Sequence, residues 1–216
     1  MKKALIVTGG QIERAFCMEY LEKNSFDYMA AVDFGLRFFY DAQIAPDLAV
    51  GDFDSADADV LRHFKDREGI EWVRLVPEKD DTDTEAAVRR VIAKGYGQIH
   101  ILGATGSRLD HALGNIGLLG LGLEAGIEMF LADPHNRVRM IEEPITISKK
   151  GQFGNYVSLL PVSEKVFGVT LLGMKYPLNN HTLTQFNSLG ISNEIIEERA
   201  EIRIKGGTLL VLETRD

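Results

Sequence analysis

Gln98-Ile99-His100-Ile101-Leu102-Gly103-Ala104-Thr105-Gly106-Ser107-Arg108-Leu109-Asp110-His111 is the stretch that decides the fold. Residues 98–102 form a short apolar run of the kind a buried strand needs, and residues 109–123 carry helical spacing. A glycine-containing loop joins them. A strand that runs through such a loop into a helix presents backbone N–H groups and the positive end of the helix dipole to an anion. Arg108, at the mouth, adds a planar, permanently charged fork suited to phosphate. The loop lacks the Gly-Lys-Ser/Thr ending of a Walker A loop. The plainer reading of Arg108 is a surface residue neutralised by Asp110. His111 reads as a helix-start hydrogen-bonding residue rather than a metal ligand, because no second His or Cys stands at ligand spacing near it.

The same alternation extends outward. Strand patterns at residues 4–8, 28–32, 48–50 and 71–76 alternate with helical ones at 11–23, 35–42, 58–67 and 84–94, and a further strand follows at 127–132. This order predicts βαβ units, a mostly parallel sheet and helices on both faces. Gly9-Gly10 after the first strand does not continue into G-x-G-x-x-G, which argues against a nicotinamide dehydrogenase. After Asp133-Pro134 helical periodicity mostly stops. Short β-rich runs at 138–141, 145–147, 156–160, 166–171, 200–204 and 208–212 follow, punctuated by Gly and Asn. They predict a small antiparallel sandwich or barrel. The expected division is an α/β nucleotide-binding domain over residues 1–134 and a β-domain over 135–216.

The chain has 216 residues, 32 acidic and 24 basic, for a net charge of −8. A general nucleic-acid or anionic-membrane binder needs the opposite balance. The surplus is local. Residues 47–85 hold 13 acidic and 5 basic side chains, while the remaining 177 residues hold 19 of each. Cys17 is the single cysteine, so no internal disulfide forms, and its setting in Ala15-Phe16-Cys17-Met18 reads as a helix's apolar face. The longest weakly polar run, residues 116–123, is far shorter than the ~20 residues a membrane span needs. The N-terminal apolar stretch ends at Thr8-Gly9-Gly10, too early for a signal peptide, so a cytoplasmic location is expected.

Two acidic segments lie inside the charged window. In Pro46-Asp47-Leu48-Ala49-Val50-Gly51-Asp52-Phe53-Asp54-Ser55, extended chain would point Asp52 and Asp54 the same way, at the carboxyl end of a strand, where open α/β sheets bind ligands. Converging carboxylates repel unless a cation lies between them, and Mg²⁺ is held by one or two carboxylates with water and substrate phosphates. In Lys79-Asp80-Asp81-Thr82-Asp83-Thr84-Glu85, a capping box accounts for Thr82 and Glu85 but leaves Asp80, Asp81 and Asp83 unexplained. Carboxylates for Mg²⁺ and an anion-binding loop with Arg are the parts of a phosphoryl-transfer site. The residues by themselves do not name the acceptor.

The ordered set Asp33-Phe34-Gly35, Gly51-Asp52-Phe53-Asp54-Ser55, Lys79 to Glu85 and Gly103 to His111 resembles the thiamine pyrophosphokinase family. Ser158-Leu159-Leu160-Pro161, the run from Gly168 to Leu178 and Gly190-Ile191-Ser192-Asn193-Glu194 continue the likeness over nearly the whole chain. The resemblance implies transfer of an intact pyrophosphoryl group from ATP to the hydroxyethyl oxygen of thiamine, giving thiamine diphosphate and AMP. It implies an α/β domain with a β-sandwich, working as a homodimer with active sites between subunits. It places Mg²⁺ on Asp52, Asp54 and Asp83, catalytic roles on these with Arg108 and Asp110, and the nucleotide near Asp33, Lys79, Asp80, Thr105 and Arg108. Tyr176 would stack on thiamine, and Ser192 and Asn193 would contact it. Two departures stand out: Phe34 follows Asp33 where the family often has Gly or Arg, and Ser107 precedes Arg108 where it often has Gly. Rival readings are pyrophosphoryl transfer to a hydroxymethylpterin and a non-catalytic nucleotide sensor on the same fold.

Overall fold

A computed structural model describes residues 1–54, 57–76 and 80–216. Ser55 and Lys79 lie outside the described residues. Two compact units divide the chain, Met1–Pro134 and His135–Asp216.

In the first unit, β1 (Lys3–Val7), β2 (Tyr28–Val32), β3 (Leu48–Gly51), β4 (Glu71–Arg74), β5 (Gln98–Leu102) and β6 (Glu128–Ala132) lie in the order β4-β3-β2-β1-β5-β6, and every neighbouring pair is parallel. Ala4, Leu5, Ile6 and Val7 are all fully buried, as are Ile99, Ile101 and Leu102. Continuous apolar runs are what a strand covered on both faces requires. The helices are α1 (Arg14–Lys23), α2 (Gly35–Ala42), α3 (Ala58–Lys65), α4 (Asp83–Ala93), α5 (Leu109–Gly117) and α6 (Leu119–Ala125). Of these, α2 packs on β1 and β2, α4 on β1, β2 and β3, and α6 on β6. The chain leaves β1 toward β2 on one side and leaves β5 toward β6 on the other. This topological switch point is where a parallel sheet opens a crevice at its carboxyl edge.

Two helices depart from their expected spans. The first begins at Arg14 rather than residue 11, and the Gly10 and Gln11 amides before it donate to Gly103 O and Thr105 O at 2.9 and 2.7 Å, tying this stretch to the loop after β5. The stretch 109–123 divides at Leu118 into α5 and α6. Glycines at 114, 117, 120 and 122 weaken it, each costing roughly 1 kcal/mol of helix propensity against alanine. Cys17 is buried in α1 and its thiol is pushed up to about 11, chiefly by burial. Among the described residues no helix is long and apolar enough to cross a membrane.

The second unit is antiparallel. Strands β7 (Asn136–Ile141), β13 (Leu209–Thr214) and β9 (Tyr156–Pro161) form one row, with β13 in the middle. The other row is β11 (Leu178–Thr184), β10 (Lys165–Leu172), β12 (Arg199–Arg203) and β8 (Ile145–Ser148). Val157, Leu159, Val166, Val169, Leu171, Ile202 and Val211 supply the core. β11 has no counterpart among the expected strands. Its sequence, Leu-Asn-Asn-His-Thr-Leu-Thr, buries Leu183 alone, and its pairing with β10 slips register twice. An edge strand with one buried side chain leaves no alternating pattern to read.

Candidate active site

The loops after β1 and β5 are stitched together. Thr8 donates its amide to Leu102 O at 2.9 Å and its hydroxyl to Gly103 O at 2.5 Å, and the Gly10 and Gln11 amides continue the seam. The approach leaves no room for a side chain: a Cβ on Gly10 would stand 2.2 Å from Gly103 O. On the β2 side, Asp33 adopts φ 46°, donates its amide to Val50 O at 2.9 Å and lays its carboxylate over Gly51. A Cβ on Gly51 would meet Asp33 Oδ1 at 1.8 Å. Gly35 lets α2 dock on Val7, where a Cβ would meet the carbonyl oxygen at 2.1 Å.

These loops enclose a cleft of about 640 Å³ at the carboxyl edge of the sheet. Asp33, Asp83, Thr105 and Arg108, four of the residues that the sequence reading assigns to the site, line it. Phe34, half-exposed, lines it as well, together with Gly10, Gln11, His111 and Asn115, none of which the sequence reading assigned. One signal for the last two was present: residues 108, 111 and 115 are spaced three and four apart at the start of a helix, and so share a face. Asn115 Nδ2 donates to Ala104 O at 2.8 Å and the Thr105 hydroxyl to Asp133 Oδ2 at 3.0 Å, so the phosphate-loop candidate is braced at two consecutive residues.

Arg108 and Asp110 form a forked pair, with N···O distances of 2.6 and 3.2 Å, both side chains largely exposed. The guanidinium hydrogen bond, followed by the His111 amide at 2.9 Å, holds the Asp110 carboxyl down at about 2.

The Asp52–Asp54 stretch differs from the extended geometry expected of it. β3 ends at Gly51, Phe53 takes φ 59°, and the Asp54 amide donates to Asp52 Oδ1 at 3.0 Å. Burial of Phe53 edge-on against Trp72, centroids 5.3 Å apart, accounts for the turn. Neither Asp52 nor Asp54 is among the cleft-lining residues, and Asp54 and Asp80 are exposed. Among the described residues no three His, Cys, Asp or Glu side chains converge as a metal cluster. The donor set nonetheless fits Mg²⁺. Its oxygens are hard carboxylates, and a Mg²⁺ carried on substrate phosphates needs one or two of them rather than a closed protein cage. α4 opens with the expected cap, Thr82 Oγ1 accepting from the Glu85 amide at 3.1 Å, which sets Asp83 at the helix start and in the cleft.

In the second unit, Tyr176 is 58% exposed while Asn193 is 5% exposed. Asn193 Oδ1 accepts from the Tyr176 and Glu194 amides, both at 2.9 Å, and its Nδ2 donates to Tyr176 O at 2.8 Å. Its amide therefore holds the backbone on which Tyr176 sits. Ser192 is exposed at φ 56°, its amide donating to the buried Ser158 hydroxyl at 3.0 Å.

A family model described as the thiamin pyrophosphokinase catalytic domain matches residues 19–131, and one for the vitamin B1 binding domain of thiamin pyrophosphokinase matches residues 142–209. Thiamine pyrophosphokinase from Bacillus subtilis (strain 168) is 37% identical over 185 residues, which is 86% of either chain. The crystal structure of thiamine pyrophosphokinase from Bacillus subtilis superposes with a TM-score of 0.89 at 34% identity over 100% of both chains. The crystal structure of thiamin pyrophosphokinase from Geobacillus thermodenitrificans gives 0.85 at 31% identity, covering 99% of this chain and 98% of that one.

Proposed function

The chain belongs to the thiamin pyrophosphokinase family and is an enzyme of that class, and from this premise we propose that it transfers the pyrophosphoryl group of ATP to thiamine in a Mg²⁺-dependent reaction, as a homodimer. The observation that supports the reading best is the cleft itself: Arg108, Asp33 and Asp83 face one crevice at the sheet's switch point, floored by two loops with braced backbone.

In this reading the hydroxyethyl oxygen of thiamine forms a bond to the β-phosphorus as the bond from that phosphorus to the α,β-bridging oxygen breaks, the hydroxyl proton is released to water, and AMP leaves. Asp52, Asp54 and Asp83 would hold Mg²⁺ together with the phosphates, and the ion would supply positive charge against the transferring group. Arg108 exchanges Asp110 for phosphate oxygens and stabilises the same charge, while the stitched loops fix the nucleotide in line. Asp33, Lys79, Asp80 and Thr105 complete the nucleotide side. Tyr176, Ser192 and Asn193 form the thiamine side, with Asn193 also positioning Tyr176. A positive, aromatic acceptor suits an exposed tyrosine through stacking with cation–π character.

Incubation with Mg²⁺, ATP and thiamine tests the chemistry: AMP and thiamine diphosphate are expected, and ADP with thiamine monophosphate overturns it. Asp54→Ala should abolish turnover while its melting temperature stays close to wild type, since Asp54 is exposed. Light scattering on the purified chain tests the homodimer.

A further inference from the structure

The turn after β10 carries a charge pattern that the proposed reaction does not use. Lys175 Nζ stands 2.5 Å from Glu194 Oε1 and 5.6 Å from the centroid of the Tyr176 ring. Two backbone ties fix the pair. The Lys175 amide donates to Glu194 O at 2.9 Å, and Met174 bridges Ile195 in antiparallel register. Asn193, buried between them, receives both the Tyr176 and the Glu194 amide. A tyrosine ring, an ammonium and a carboxylate are thus held together on a preformed frame, with the ring open to solvent.

We propose that Glu194 is the residue that admits a cationic ring to Tyr176, by neutralising the Lys175 ammonium beside it. The proposal rests on the reading of Tyr176 as part of the thiamine site. A cation stacked on Tyr176 comes within several ångströms of Lys175. With Glu194 in place the ligand meets a paired dipole of no net charge. Without it the ligand meets a bare ammonium that already competes for the face of the ring. A neutral ligand of the same shape is indifferent to the difference. For a unit charge roughly 6 Å away at an effective dielectric of about 40, the penalty on a cation is about tenfold in affinity. Charge selection of this kind works by repulsion of the wrong ligand as much as by attraction of the right one.

The test compares KM for thiamine with KM for deazathiamine, the neutral isostere whose thiophene replaces the thiazolium, at saturating Mg²⁺-ATP. Glu194→Gln should raise KM for thiamine about tenfold and leave that for deazathiamine within about twofold, with the difference shrinking as salt is added. Glu194→Asp should recover most of the loss. Lys175→Met in the Glu194→Gln background should restore the wild-type ratio, and Lys175→Met alone should lower KM for thiamine. Equal weakening of both acceptors by Glu194→Gln, or no change in either, overturns the proposal. Should Glu194→Gln fail to fold, Lys175→Met alone still decides: an unchanged ratio refutes the charge effect. Failure of the underlying reading looks different, since Tyr176→Ala would then leave KM for both acceptors where it was.

Discussion

Gly10→Ala is the smallest change that tests how the cleft is built. The added Cβ would stand 2.2 Å from Gly103 O and 2.5 Å from Thr105 O, both backbone atoms of the loop that carries Arg108. Neither can rotate away, so the loops must part by roughly 1 Å before ordinary contact is regained. That parting loosens the Gly10–Gly103 and Gln11–Thr105 hydrogen bonds, 2.9 and 2.7 Å long. Overpacking at such a seam costs about 1–3 kcal/mol, and each weakened hydrogen bond on the order of 1 kcal/mol at most. The larger effect falls on activity. Arg108 and the braced amides shift against the carboxylates of Asp33 and Asp83, and a misplacement of about 1 Å can cost on the order of 100-fold in rate. The assay is kcat/KM for pyrophosphoryl transfer beside a thermal melt. Gly114→Ala serves as control: a Cβ there meets nothing within 4 Å, so helix propensity should raise stability by up to about 1 kcal/mol. If Gly10→Ala matches wild type in both rate and melting temperature, the stitched-loop account of the cleft is wrong.

Three further outcomes follow from the same geometry. In a carboxyl NMR titration Asp110 should titrate near 2 in wild type and return toward its ordinary 3.8 in Arg108→Gln; the pair's contribution is present above 3.8 and lost as pH falls through about 2. Glu213, 1% exposed, accepts Arg137 at 2.8 Å and the Phe153 amide at 3.0 Å, so Glu213→Ala, which withdraws a buried charge partner, should cost about 3–5 kcal/mol by denaturant unfolding. Asn193→Ala removes the buried amide that clamps Tyr176, and should raise KM for thiamine while leaving KM for ATP unchanged in steady-state kinetics.

The strands of the parallel sheet are legible because burial on both faces demands unbroken apolar runs, as in Ala4 to Val7. Periodicity fails where one residue's packing overrides its neighbours. Phe53 turns left-handed to reach Trp72 and so rotates Asp52 and Asp54 out of the expected alternation. β11 escapes because a single buried leucine makes no period. In the cleft, Asp83 and Arg108 are legible as charges that need a reason, and Asp33 only through the family resemblance. Gly10 and Asn115 are not, since their work is done against backbone oxygens of a loop, nearly a hundred residues away for Gly10 and 11 residues back for Asn115, and spacing does not encode a carbonyl. The motif marks Asn193 as a thiamine contact by resemblance, and its hydrogen bonds add that the amide also holds the backbone of Tyr176.

The distribution of charge also bears on which form of the nucleotide can bind. The acidic surplus sits in residues 47–85, of which Thr82, Asp83 and Thr84 reach the cleft lining. Arg108 does not offset it, because in the free protein its guanidinium is already shared with Asp110. A bare polyphosphate therefore meets the Asp33 and Asp83 carboxylates with Arg108 already engaged. An exposed ion pair is worth only about 0–1 kcal/mol, so exchanging Asp110 for a phosphate oxygen costs little, but it returns the Asp110 charge to the same cleft mouth. Under the proposed function the missing positive charge has to arrive with the nucleotide. Affinity for ATP should then fall steeply as Mg²⁺ is withdrawn, and Asp54→Asn should weaken that dependence by making the free cleft less negative. Equal affinity for ATP with and without Mg²⁺ in equilibrium dialysis would show that the carboxylates serve some other end.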